Sequence, residues 1–251
     1  TGSITTWFDS NTRPYRVRDR GVSGTGDDRT TCTEYMPVTA TGPWITNAVW
    51  KTATVAGDSH NCASVPASTT WLAGSTYRYD GNANGDVAAT RGRIYIAREF
   101  VRRGLSESLW PKETFSYNTD GQISSVASST GGTTSFGYDA WGHVSSADGP
   151  FANDTVTTVT DPAFGNPTSV NNPAGPDYVL TYDALGRPKT VTRDGISQPS
   201  YQFTYTFATA TTPARTQTDT LRTTGGSFIR TNMFVDGFGR NIQNQVQASN
   251  G

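Results

Sequence analysis

The 251 residues carry 20 Lys and Arg against 21 Asp and Glu, a net charge of −1, with 16% charged and 34% hydrophobic residues. Near-neutral charge with scattered arginines argues against an electrostatic surface for nucleic acid or anionic lipid, and no apolar run approaches the ~20 residues of a membrane-spanning helix. Aromatic residues at 11% argue against disorder, since disordered chains lack the rings that build a core. Abundant Thr, Tyr, Phe and Val, punctuated by 26 Gly and 13 Pro, read as an all-β chain of many short strands joined by turns. The chain opens at Thr1 rather than at Met, as a fragment or a processed product would.

In chain order, residues 1–114 read as a β-rich N-terminal region with a cysteine-containing insert and degenerate repeats. The first repeat copy is Phe8-Asp9-Ser10-Asn11-Thr12-Arg13-Pro14, followed by Val17. Cys32 and Cys62 stand 30 positions apart. Residue types alone leave three readings of this pair. It is a disulfide in an oxidising compartment, two inert thiols, or, with His60 and a carboxylate, a zinc site that lacks the usual CxxC spacing. The disulfide is the favoured expectation. A further copy begins at Tyr79-Asp80-Gly81, and Arg102-Arg103, the one adjacent pair of basic residues, reads as a solvated strand edge.

Residues 115–251 hold the clear copies. They begin with Tyr117-Asn118-Thr119-Asp120-Gly121-Gln122-Ile123 and Tyr138-Asp139-Ala140-Trp141-Gly142-His143. Thr160-Asp161-Pro162-Ala163-Phe164-Gly165 follows, with one extra residue before its Gly, and then Tyr182-Asp183-Ala184-Leu185-Gly186-Arg187-Pro188. The last is Val235-Asp236-Gly237-Phe238-Gly239-Arg240. Asn118, Asp139, Asp161 and Asp183 follow one another at steps of 21, 22 and 22 residues, and the next step, to Asp236, is 53. An interruption near 196–234 therefore breaks the register.

A period of 21–22 accommodates two strands and two turns of ordinary length. The aromatic ends one strand on its buried face, the Asp accepts hydrogen bonds from the turn backbone, and the Gly supplies a positive-φ position. A lone hairpin cannot bury its own apolar face, so stacked antiparallel hairpins are expected, with the aromatic rings forming a ladder along the strip. Trp141, aligned with Phe164 and Leu185 in this register, is expected in the core.

Tyr182-Asp183-Ala184-Leu185-Gly186-Arg187 and its sister copies at this spacing resemble the YD repeat of bacterial Rhs proteins, of the B and C components of insecticidal Tc toxins, and of teneurins. The resemblance is strongest over 115–195, recurs at Val235–Arg240 and is weaker at Phe8–Val17. The cysteine-containing segment resembles an insert of secreted actinobacterial members. The resemblance implies a YD-repeat β-sheet strip or solenoid-like shell that encloses or delivers a toxin cargo. Its partners would be the rest of the parent polypeptide or further repeat copies. A secreted or cell-surface bacterial location would follow.

Candidate chemistry is sparse. His143 occupies the position held by Arg187, Gln122 and Arg240 in sister copies, and His60 lies in a loop-like run without a nucleophile elbow. Asp27-Asp28 and Glu107 with Glu113 read as solvated acids rather than a glycosidase pair. One repeat Asp per 22 residues supplies too few oxygens for calcium. The expectation is no catalysis, no cofactor and no metal, with no nucleic acid and no membrane insertion. The alternative is an extracellular filament or adhesin whose exposed tryptophans bind cell-surface glycans.

Overall fold

The computed structural model describes residues 2–22, 26–38, 44–83, 87–101 and 105–248, and the chain is all β. Arg102 and Arg103 lie outside the described residues. The chain divides into two compact units, residues 1–134 and 135–251. In the first, β1 (Ser3–Phe8), β2 (Pro14–Arg20), β3 (Arg29–Tyr35), β4 (Val49–Ala56), β5 (Trp71–Tyr79), β6 (Ile94–Glu99), β7 (Lys112–Tyr117) and β8 (Ile123–Ser128) each pair antiparallel with the next. In the second, residues 135–138 of β9 (Gly132–Tyr138) pair with β10 (Val144–Asp148). The meander continues through β11 (Val156–Thr160), β12 (Pro167–Asn171), β13 (Tyr178–Tyr182), β14 (Pro188–Arg193), β15 (Tyr201–Thr206), β16 (Ala214–Leu221), β17 (Phe228–Val235) and β18 (Asn241–Val246). Among the described residues, no helix is long and apolar enough to cross a membrane.

The first unit has a core because its long connections fold back over one sheet face. Strand alternation puts Thr30, Cys32, Ala53, Val55, Trp71 and Thr76 on that face, and all six are buried. The connection between β4 and β5 is fastened there by a Cys32–Cys62 disulfide with a Cα–Cα distance of 5.3 Å. The connection between β6 and β7 brings Phe100, Leu105 and Trp110 onto Trp71, Ala53 and Val55. A second cluster joins Met36, Ala48, Tyr79 and Ala89. Burial among these neighbours pushes the Tyr79 hydroxyl up to about 12, helped by the nearby Tyr77.

The opposite face of the first unit is hydroxyl-rich. Thr31 bonds Thr54 and Thr52 bonds Ser75 across strands, both at 2.9 Å. A groove of about 600 Å3 opens there, lined by Thr52, Thr54, Ser75, Tyr77, Lys112 and Glu113 among others.

The second unit lacks such capping connections. Among its described residues Asp219 is the one buried side chain, held by Gln217 and Arg230, and no apolar side chain is buried. The 53-residue step between Asp183 and Asp236 contains a further hairpin, β15–β16, whose turn lacks the Asp–Gly motif.

Candidate functional site

The repeat turns share one design, clearest at Asp183. Its N–H donates to the Arg187 carbonyl at 2.9 Å, and the Gly186 N–H donates back to the Asp183 carbonyl at 3.0 Å. Oδ1 of Asp183 accepts the N–H groups of Leu185 and Arg187, both at 2.9 Å, while Oδ2 accepts Arg187 Nε at 2.7 Å and pairs with Nη2 at 2.6 Å. Gly186 has φ 74°, and the register shifts at Tyr182. This is a tight turn closed by a left-handed residue and a bulge.

Asp9 with Arg13 and Asp236 with Arg240 repeat the pattern, with Nε–Oδ2 distances of 2.7 Å in both. At Asp139 a histidine stands in for the arginine, His143 Nδ1 lying 3.1 Å from Oδ2. Tyr117 precedes a neutral version in which the Asn118 amide bonds the Gln122 side chain at 3.0 Å, with Gly121 at φ 88°. Asp161 closes a longer turn, Gly165 N–H donating to its carbonyl at 2.8 Å.

The Tyr79-Asp80 copy uses a different glycine from the one adjacent in sequence. The Asp80 N–H donates to the Arg93 carbonyl at 2.8 Å, and its carboxylate accepts four N–H groups, from Thr90 to Arg93. The turn pair is Gly92-Arg93, displaced by an inserted loop that sequence reading overlooked. The recoverable signal was a Gly-Arg pair followed by alternating Ile94 and Ile96.

Successive copies are tied by Tyr and Arg. Tyr35, Tyr117, Tyr182 and Tyr205 donate their hydroxyls to the carbonyls of Pro14, Ile94, Pro167 and Pro188, at 3.0, 2.7, 2.6 and 3.0 Å. Each acceptor lies two residues beyond the left-handed residue of the preceding copy. Arg13 covers the Tyr35 ring at 4.3 Å, Arg93 covers Tyr117 at 5.5 Å and Arg187 covers Tyr205 at 4.2 Å. Where Thr160 replaces Tyr, its hydroxyl donates directly to Asp139 Oδ2 at 2.8 Å.

At the Tyr35, Tyr117 and Tyr205 joints, an arginine lies over the ring in place of the expected neighbouring ring. Tyrosines two strands apart sit roughly 10 Å from each other, beyond the ~4.5–7 Å at which rings engage, and the guanidinium fills that gap. Trp141 is also not core. With Phe164 and Leu185 it occupies the residue before the turn Gly, which points outward, and the three are 72%, 58% and 63% exposed. The end residues Phe8 and Phe238 are exposed as well.

The turn glycines are needed for two reasons. A Cβ on Gly186 would lie 3.0 Å from Phe164 Cδ1, one on Gly165 would lie 3.0 Å from His143 Nε2, and one on Gly121 would collide with Arg93. Gly239, at φ 76°, has open space instead. Gly186→Ala should thus cost about 1–3 kcal/mol, more than Gly239→Ala, which carries the φ strain alone. Equal shifts in denaturation midpoint would contradict the contact. Thr12 holds φ 61° where its sisters have Gly, so Thr12→Gly should raise stability by roughly 1 kcal/mol in the same assay.

The carboxylates of Asp9, Asp139, Asp183 and Asp236 are held in their ionised form. At Asp183 and Asp9 the arginine side chain lowers the pKa most, and at Asp236 the Arg240 N–H does. At Asp139 desolvation is the largest influence and raises the pKa. Bonds from the His143 N–H, the Thr160 hydroxyl and the Trp141 N–H outweigh it and bring the value to about 2. A carboxylate lowered on folding stabilises the fold above its unfolded pKa of ~3.9 and loses that contribution as pH falls through the folded value. Denaturation midpoints should therefore drop from about pH 4 to pH 2, and Asp139→Asn should flatten the drop. A profile unchanged by that substitution would contradict the assignment.

The sequence-derived catalytic candidates are not assembled into a site. Glu107 bonds Thr76 at 2.9 Å and Arg78 at 2.5 Å on the capped face, whereas Glu113 lines the groove on the other face. Asp27 accepts the Val22 N–H at 3.2 Å, and the Asp28 carbonyl accepts the Gly57 N–H at 2.7 Å. His60 lies in the connection that Cys62 fastens. Among the described residues no group of three His, Cys, Asp or Glu side chains could hold a metal.

Comparison with known proteins places this architecture. No curated protein sequence matches the chain. Residues 117–151 match the RHS repeat family. The crystal structure of TcdB2-TccC3 aligns over 94% of this chain and 16% of its own, at 14% identity and a TM-score of 0.61. That of TcdB2-TccC3-TEV aligns over 95% of this chain and 18% of its own, at 12% identity and a TM-score of 0.63. The chain thus spans less than a fifth of these structures, and at such identities the likeness establishes the fold. Residues 117–151 thus carry an RHS repeat, and the chain as a whole has a fold similar to that of these structures.

Proposed function

We propose that this chain is a wall segment of a secreted Rhs/YD-repeat shell that encloses or delivers a toxin cargo, acting mechanically rather than as an enzyme. One observation carries this reading: the second unit is a β meander with no buried apolar side chain among its described residues. Such a sheet is held by its turns and by its neighbours along the strip, as a wall is, rather than by an interior. The repeat residues act as joints, each Asp–Arg pair closing one hairpin and each Tyr tying it to the one before. The partners are the remainder of the parent polypeptide or further repeat copies. The Cys32–Cys62 disulfide supports a location outside the cytoplasm.

Electron microscopy of the polypeptide that carries this chain should show a closed, hollow wall. A compact globule or a straight rod would overturn the proposal. Trp44 and Trp141, 82% and 72% exposed, favour the glycan-binding alternative. Capture on a glycan array that Trp44→Ala or Trp141→Ala abolishes would establish it.

A further inference from the structure

The insert in the Tyr79-Asp80 copy changes what the turn arginine is bonded to. In three sister copies Oδ2 of the turn aspartate accepts the arginine Nε at 2.7 Å: Asp9 with Arg13, Asp183 with Arg187 and Asp236 with Arg240. At Asp80 that oxygen is already taken, by the N–H groups of Thr90, Arg91 and Gly92 at 2.7, 2.9 and 3.2 Å. The Arg93 guanidinium is therefore displaced, and among the described residues no carboxylate pairs with it. It lies over the Tyr117 ring at 5.5 Å and against Gly121, where a Cβ would collide with its Nη2. The next copy offers no acid in exchange, since Asn118 and Gln122 stand where its sisters have Asp and Arg. A cavity of about 310 Å3 opens at this guanidinium, lined also by Asp80, Thr90, Arg91, Tyr95 and Tyr117.

We propose that this cavity binds a small organic acid, whose carboxylate takes the place on Arg93 that the aspartate side chain holds in the sister turns. A guanidinium fork matches a carboxylate through two parallel bonds, and Arg187 engages Asp183 through both Nε and Nη2. Contact with Tyr117 and Gly121 fixes the Arg93 fork before any ligand arrives, which lowers the ordering cost of binding. The rings of Tyr95 and Tyr117 supply walls for a carbon skeleton, and the side chains of Thr90 and Arg91 supply donors. The volume lies at the lower end of small-ligand sites, so it suits one small molecule rather than a chain. Charge favours an anion. Two arginines line the cavity against one aspartate, whose carboxylate is already held by four N–H groups. Asp120, beside Gly121, is exposed and does not line the cavity.

This inference stands apart from the wall reading, which a chain that binds no acid would leave intact. Isothermal titration calorimetry with D-glucuronate and with benzoate, one hydroxylated acid and one aromatic, should show saturable binding of at least one. The expected Kd is on the order of 0.1–1 mM. The neutral counterparts D-glucose and benzamide should not bind. Arg93→Gln should weaken binding at least ~10-fold, and Arg93→Lys, which keeps the charge and loses the fork, by an intermediate factor. Arg240→Gln should leave it unchanged, because that fork is occupied by Asp236. Arg93 also packs on Tyr117, so circular dichroism checks the fold of its variants, and Arg91→Glu, at an exposed position, should weaken binding in the same direction. No saturable binding of either acid up to ~10 mM overturns the inference. So does binding that Arg93→Gln and Arg91→Glu leave intact. Inorganic phosphate bound as tightly as the acids would also overturn it, since the arginines would then be a general anion site.

Discussion

Trp71→Ala is expected to destabilise the first unit by about 3–5 kcal/mol, the range for removing a large aromatic from a core that cannot collapse around the void. Trp71 is 2% exposed and its ring lies 5.2 Å from Trp110 and 5.6 Å from Phe100, while those two meet edge to face at 5.4 Å. Its Nε1–H donates to the Pro66 carbonyl at 2.8 Å, so truncation also leaves that carbonyl without its bond. Gly74 is part of the same fit, since a Cβ there would sit 2.5 Å from the indole ring. The triad fastens the β6–β7 connection to the sheet, so its loss should release Phe100 and Trp110 together. Denaturant titration followed by near-ultraviolet circular dichroism measures the effect. Trp71→Phe, which keeps a ring in place, should cost less. A loss below about 1 kcal/mol for the alanine variant would mean that the connection is not anchored there.

The core of the first unit was far less legible in the sequence than the turns of the second. An Asp–x–x–Gly–Arg turn is encoded in five contiguous residues, and each bond that defines it joins members of that run, so Asp183 and Asp236 announce themselves, as do Asp9 and Asp139 with one replacement each, Thr12 for Gly and His143 for Arg. Pairing between neighbouring strands then follows from short connections. Trp71 and Trp110, by contrast, are 39 residues apart and meet only because a connection doubles back, which no local pattern reports. The Asp80 copy was obscured for a related reason: its insert separates the carboxylate from Gly92-Arg93, although Asp80 exchanges the same two backbone-level bonds with Arg93 that Asp183 exchanges with Arg187.

The interval 196–234 shows the converse. The hairpin β15–β16 has lost the Asp and the Gly, yet Tyr205 still donates to Pro188 and still lies under Arg187. Half of each joint belongs to the preceding copy, so a hairpin can drop its own turn motif and remain tied to its neighbour. Trp141 misled for a reason of position. Its chemistry suits a core, but the residue before the turn Gly projects from the end of the hairpin whatever its side chain.

Removing the disulfide should have an effect comparable with the loss of Trp71, through a different mechanism. The 30-residue separation of Cys32 and Cys62 corresponds to roughly 3–4 kcal/mol of loop-closure entropy in the unfolded chain. The other ties of the β4–β5 connection lie mainly at its two ends, where Gly57 bonds Asp28 and Thr30 and where Pro66 accepts the Trp71 indole N–H. Asp58 contacts Arg20 at 3.0 Å and Arg18 at 4.0 Å, both partly exposed pairs of the kind worth about 0–1 kcal/mol. Cys32→Ser combined with Cys62→Ser, or reduction with dithiothreitol, should therefore lower the denaturation midpoint of the first unit and leave that of the second in place. Tryptophan emission reports the first unit, where Trp7, Trp44, Trp50, Trp71 and Trp110 lie, because Trp141 of the second is already 72% exposed. Alkylation should add two groups only after reduction under denaturing conditions. An emission transition unchanged by reduction would mean that the connection is held by its other contacts, and the covalent tie would then be incidental to the cap over β3 and β4.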